Sequence, residues 1–74
     1  MQAVQLKMVR AALGLTVRQC ADLTGVSHDT ITRIEAGETV KDSTVAKVRA
    51  ALEAAGVVLI ESNGGGPGVR LAKR

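Results

Sequence analysis

The sequence has no aromatic residue and only one cysteine, one histidine and one proline. Without Phe, Tyr or Trp, the hydrophobic core has to come from aliphatic side chains and Met, which bury less area each. The single cysteine, Cys20, excludes an internal disulfide, so nothing here requires an oxidising compartment. With one histidine, one cysteine and no clustered carboxylates, we expect no metal site, no cofactor and no enzyme activity.

Two kinds of segment are also missing. No apolar run approaches the roughly 20 residues that a membrane span needs, and the first residues do not have the pattern of a signal peptide. We therefore expect a cytoplasmic protein without a membrane partner. The chain has 74 residues, of which 46% are hydrophobic, and a formal charge of +3. These values predict one globular unit and are compatible with nucleic acid as a partner.

Apolar residues in the first 56 positions recur at helical spacing, and glycines and capping hydroxyls mark the boundaries. Leu6, Val9 and Leu13 form one such stripe. Thr16 and Ser27 stand where N-caps are needed, directly before two short apolar patterns. The predicted helices cover residues 3–13, 17–24 and 28–36, and a fourth runs from 42 or 43 to 55.

After Gly56 the pattern changes to short runs that are rich in β-branched residues. Residues 57–62 and 69–73 are predicted as strands on either side of the turn NGGGPG. An isolated hairpin is barely stable in water, so we expect this one to lie on the helices or to pair with a second copy.

The segment ADLTGVSHDTITRIEAG, residues 21–37, meets the demands of two helices that cross steeply over a short turn. Ala21 is small where the backbones approach, and Gly25 tolerates the positive φ of the turn. Val26 can close the corner, and Ile31 and Ile34 supply the inner face of the second helix. Together these features predict a helix-turn-helix.

The longer segment LTVRQCADLTGVSHDTITRIEAGE resembles the core of Cro/C1-type (XRE-like) helix-turn-helix regulators, over about residues 3 to 56. The resemblance implies a compact, mainly α, four-helix domain in residues 1–56, with residues 57–74 as a β extension. It also implies that the second helix of the motif enters the major groove of DNA, and that Arg10 and Glu35 form a structural pair. The implied base contacts are His28, Asp29, Thr32 and Arg33, and the backbone contacts are Ser27, Thr39 and Lys41, to which we add Arg18.

From its chemistry, Arg33 is the best candidate for reading a base, because a guanidinium can donate two hydrogen bonds to guanine. Asp29 brings a negative charge towards the DNA, although it can accept a hydrogen bond from cytosine N4. At the first position of the motif's first helix, where the family commonly has glutamine, this chain has Val17. These features favour an alternative function: a protein-interaction module on the same fold, an antiactivator or antitoxin, whose partner is another regulatory protein or a toxin.

We predict a sequence-specific DNA-binding transcriptional regulator. One recognition helix makes few base contacts, so we expect a homodimer on a palindromic site of double-stranded DNA. The C-terminal strands are the candidate for the dimer contact, because unpaired strand edges favour pairing. The residues expected at that contact are Val57, Val58, Leu59, Ile60, Val69 and Leu71.

Overall fold

A computed structural model describes residues 1–62 and 64–72 of the chain. It confirms the mainly helical fold with a C-terminal hairpin. Within these residues, no helix is both long and apolar enough to cross a bilayer. The elements are α1 (Ala3–Leu13), α2 (Val17–Thr24), α3 (His28–Glu35), α4 (Asp42–Ala54), β1 (Val57–Ile60) and β2 (Gly68–Leu71).

Five boundaries differ from the prediction, and one of them is the end of α4, which was expected at residue 55 but lies at Ala54, with Ala55 as the C-cap. Helix α3 ends at Glu35, because Ala36 is its C-cap and Gly37 follows with a left-handed φ of 80°. Strand β1 stops at Ile60, whose partner Gly68 is the first residue of β2, so residues 61 and 62 have no strand to pair with. The second strand, predicted over 69–73, starts one residue earlier and ends at residue 71, and residue 73 lies outside the described part of the chain.

The core is aliphatic, as the composition requires, and every helix and the hairpin contribute to it. The strands alternate, so that Val57 and Leu59 point inwards, at 3% and 8% exposure. The hairpin therefore shares the core of the helices instead of standing apart from it. The buried apolar residues are Leu6, Val9, Cys20, Ala21, Ile31, Ile34, Val48, Leu52, Val57 and Leu59.

The turn between α2 and α3 determines how α3 is presented. Gly25 adopts φ 73°, and its N–H donates to the carbonyl of Ala21 at 2.9 Å, which closes α2. The Nζ of Lys47, on α4, donates to the carbonyl of Gly25 at 3.0 Å. Ser27 Oγ then accepts a hydrogen bond from the Thr30 amide at 3.1 Å and starts α3. Local capping and one contact from a distant helix thus both contribute to the direction of α3.

The hairpin is attached to the helices by a buried glutamine that the sequence analysis did not single out. Strand β2 packs against α1 and β1 packs against α4. The Nε2 of Gln5, a fully buried α1 residue, donates to the carbonyls of Ile60 at 2.9 Å and Gly68 at 3.2 Å. Its Oε1 accepts from the Gln2 amide at 2.7 Å. All polar atoms of this side chain are therefore used inside the molecule.

Candidate nucleic-acid interface

Helix α3 has one buried side and one exposed side. Ile31 and Ile34 are held in the core, at 0% and 6% exposure. Positions 28, 29, 32 and 33 lie on the other side of a helix with 3.6 residues per turn. These four positions are exposed and form what we call the outer stripe of α3: His28, Asp29, Thr32 and Arg33.

Two members of the outer stripe form an ion pair. The Nε of Arg33 lies 3.0 Å from Oδ2 of Asp29, four residues earlier in the helix. Both side chains remain largely exposed, at 58% and 72%. Their i, i+4 spacing is the local sequence signal for such a pair. The pair cancels one positive and one negative charge on the surface proposed to face DNA.

The hydroxyl of Thr32 is also engaged within the helix. Its Oγ1 donates to the carbonyl of His28 at 3.2 Å. The hydroxyl proton is therefore used by the backbone, although the side chain as a whole remains exposed. Contact with the methyl group of thymine is a chemistry that suits such a side chain.

The predicted backbone contacts lie around α3. Arg18 is exposed on α2, and Thr39 and Lys41 are exposed in the loop between α3 and α4. The Ser27 hydroxyl caps α3 and is also 2.9 Å from Oγ1 of Thr30. Since this hydroxyl already has partners, a phosphate at this end would be bound chiefly by the free amide groups of the first turn.

Arg10 and Glu35 connect α1 to the end of α3. The Nε of Arg10 is 2.6 Å from Oε2 of Glu35, and its Nη2 is 2.9 Å from Oε1. Its Nη1 also donates to the Leu15 carbonyl at 3.3 Å. The bond to Glu35 raises the pKa of Arg10 above its ordinary value. With side-chain exposures of 25% and 9%, this pair is much more protected from water than the one on the outer stripe.

The thiol of Cys20 is a further chemically reactive group in the helix-turn-helix. Cys20 is fully buried, and burial, followed by the nearby charge of Glu35, raises the pKa of its thiol. A buried neutral thiol is a poor nucleophile. No group of three or more metal-ligating residues exists within residues 1–62 and 64–72.

The residues expected at a dimer contact fall into two groups. Val57 and Leu59 lie in the chain's own core, and Val69 packs partly against it. Ile60 and Leu71 are exposed, at 43% and 46%. A groove of about 470 Å³ lies on the hairpin surface. Its walls are Val58, Arg70, Leu71 and Ala72.

Comparison with known families agrees with this geometry. A family model described as a helix-turn-helix domain matches residues 3–61, which include all four helices and β1. The match extends five residues beyond position 56, where we expected the domain to end. A comparison with curated proteins gave no match. The family supports a DNA-binding function. The chain belongs to the helix-turn-helix domain family.

Proposed function

We propose that the protein is a sequence-specific transcriptional regulator that binds double-stranded DNA with α3 in the major groove. The observation that carries this proposal is the outer stripe of α3, in which four hydrogen-bonding side chains face away from the core. A helix fits the width of the major groove, where each base pair presents its own pattern of donors and acceptors.

The chemistry of the stripe favours particular bases. Arg33 carries the donors that match O6 and N7 of guanine. Thr32 offers its methyl group to thymine, and His28 offers one ring donor and one ring acceptor when neutral. Around the stripe, Arg18, Lys41 and the start of α3 supply positive charge and amide donors for phosphates. Phosphate contacts position the helix, and base contacts select the sequence.

A homodimer is the second part of the proposal. A good bidentate base contact discriminates by about 1–3 kcal/mol, and Arg33 is the one side chain of the stripe with such a donor fork. One stripe therefore falls short of the roughly 4–10 kcal/mol typical of specific binding. Two copies related by a two-fold axis double the contacts and read a palindrome. We place the contact on the hairpin, at the exposed Ile60 and Leu71 and the half-buried Val58, since Val57 and Leu59 are used in the core.

The test is selection of bound duplexes from a random DNA pool, followed by titration of the enriched duplex and of random DNA at several salt concentrations. We expect an enriched sequence whose affinity falls as salt rises. The Arg33→Ala variant should lose about 10- to 100-fold on the enriched duplex, which corresponds to the contribution of one bidentate contact.

Arg49→Ala is the matched control. Arg49 lies on α4, also in an i, i+4 ion pair, with Glu53. Its removal changes the net charge by the same amount, so both variants should weaken binding to random DNA to a similar degree. Equal losses for both variants on the enriched duplex, or a pool without any enriched sequence, would contradict the proposal.

A second candidate function is a protein-interaction module on the same fold, an antiactivator or antitoxin. The Asp29–Arg33 pair favours it, because this pair removes net positive charge from the outer stripe. Under this function, the selection enriches nothing, and substitutions in the outer stripe weaken capture of a protein partner instead.

A further inference from the structure

We infer that Asp29 is a positioning residue that holds the guanidinium of Arg33 for the recognition of guanine. The inference rests on the proposed DNA-binding function and names the base that this part of the interface selects. Asp29 itself need not touch a base in this arrangement. Its role is to fix which edge of the Arg33 guanidinium faces the groove.

The geometry of the pair carries the argument. Oδ2 of Asp29 lies 3.0 Å from Nε of Arg33, at the stem side of the planar guanidinium. By the covalent structure of arginine, the two terminal amino groups, Nη1 and Nη2, lie beyond Nε at the outer end of the guanidinium. These groups project two parallel N–H donors from a rigid fork. Guanine presents two acceptors, O6 and N7, at matching spacing in the major groove.

The pair also reduces the entropy lost when DNA binds. A free arginine side chain samples many rotamers, and fixing it costs free energy. In the free protein, the contact with Asp29 favours Arg33 conformers that lie along the helix surface. The pair contributes little to folding, because exposed i, i+4 ion pairs are weak. Its placement on the outer stripe therefore points to recognition and not to stability.

Electrostatics argues against a direct role for Asp29 at the DNA. The carboxylate is 72% exposed in the first turn of α3, on the side proposed to face phosphates. A lone negative charge at this place opposes binding to every sequence, whereas the same charge paired with Arg33 is neutralised. To accept a hydrogen bond from cytosine N4, Asp29 would instead need a carboxylate that is free to approach that base.

The experiment is a double-mutant cycle on the duplex enriched by the wild-type chain, with each base of the half-site varied in turn. We expect wild type to prefer guanine at one position, and Asp29→Ala to lower that preference about tenfold. Affinity for random DNA should stay the same or rise, because an acidic charge has been removed. In the Arg33→Ala background, the Asp29→Ala change should have no further effect at that position.

Glu53→Ala is the matched control, since it removes the acidic partner of an i, i+4 pair on α4. It should leave the base preferences unchanged. Circular dichroism and thermal unfolding of each variant show whether α3 is intact. If a folded Asp29→Ala chain keeps the guanine preference, the inference is overturned. It is also overturned if this variant loses a preference for cytosine at another position, because Asp29 would then contact that base directly. Both outcomes are compatible with the proposed DNA-binding function. A wild-type chain that enriches no DNA would contradict both the proposed function and this inference.

Discussion

Arg33 and Arg10 both form ion pairs, but the two pairs differ in their exposure to solvent, and we propose different roles for them. Arg33 pairs with Asp29 on an open helix surface, where the interaction is screened and exchangeable. Arg10 pairs with Glu35 through two bonds, and the Glu35 side chain is only 9% exposed. The first arrangement leaves donors for a ligand, and the second fixes the orientation of α3 relative to α1.

Arg10→Ala should lower the free energy of unfolding by about 1.5–3 kcal/mol, because a nearly buried carboxylate loses its charged hydrogen-bond donor. Chemical denaturation measures this change. Arg49→Ala is the comparison, since the partners of Arg49, Glu53 and Glu61, are at least half exposed. That substitution should cost less than about 1 kcal/mol. Similar losses for both variants would show that the Arg10–Glu35 pair does not fix the two helices.

The burial and capping of single residues were predictable where the sequence signal was local. The exposure of the outer stripe follows from the spacing of Ile31 and Ile34, and Ser27 is a cap by its position. The Asp29–Arg33 pair was also predictable, because the two residues lie about one helix turn apart. The role of Gln5 was not, since its acceptors are 55 and 63 positions away and no periodicity connects them.

At the scale of elements, the helix-turn-helix and the hairpin are held by different means. The turn at Gly25 is fixed by backbone conformation and by Lys47, and α2 packs against α3. The hairpin is held by Val57 and Leu59 in the core and by the two bonds from Gln5. Element boundaries set by caps and glycines were predictable, whereas the strand ends depended on a register that only the paired structure shows.

Gln5→Leu should loosen the hairpin more than the helices. The substitution replaces a polar side chain by an apolar one of similar size and removes the donor to the Ile60 and Gly68 carbonyls, at a cost of about 1–3 kcal/mol. Hydrogen exchange should become faster in β1 and β2, with a smaller change in α2 and α3.

Gln2→Ala is the control for this prediction, because the exposed Gln2 side chain also bonds to the hairpin region, at Ser62 Oγ, 3.2 Å away. Exposed hydrogen bonds contribute little, so this variant should exchange like wild type. A Gln5→Leu chain with unchanged exchange in both strands would show that the core contacts alone hold the hairpin.

The whole molecule buries part of the segment that we propose as the dimer contact. Deleting residues 57–74 would remove Val57 and Leu59 from the core, and the loss of folding would obscure any change in association. A substitution on the exposed surface of the hairpin separates the two effects.

Leu71→Lys should therefore convert a dimer to a monomer without unfolding the chain, because it places a charge in an apolar contact between copies. Sedimentation over a range of concentrations measures this. Leu23→Lys is the matched control, since Leu23 is 42% exposed and lies on α2. A wild-type chain that is monomeric at all concentrations, or a Leu71→Lys chain that still dimerises, would contradict the proposed contact.

We propose above all that the outer stripe of α3 contacts DNA. The most direct measurement is NMR titration of the ¹⁵N-labelled chain with the enriched duplex, observing every backbone amide. We predict that the largest shifts fall on α3 and on its flanking residues Ser27, Thr39 and Lys41, and that they diminish at high salt. Shifts confined to the hairpin, or an α3 that does not respond to any duplex, would contradict the claim.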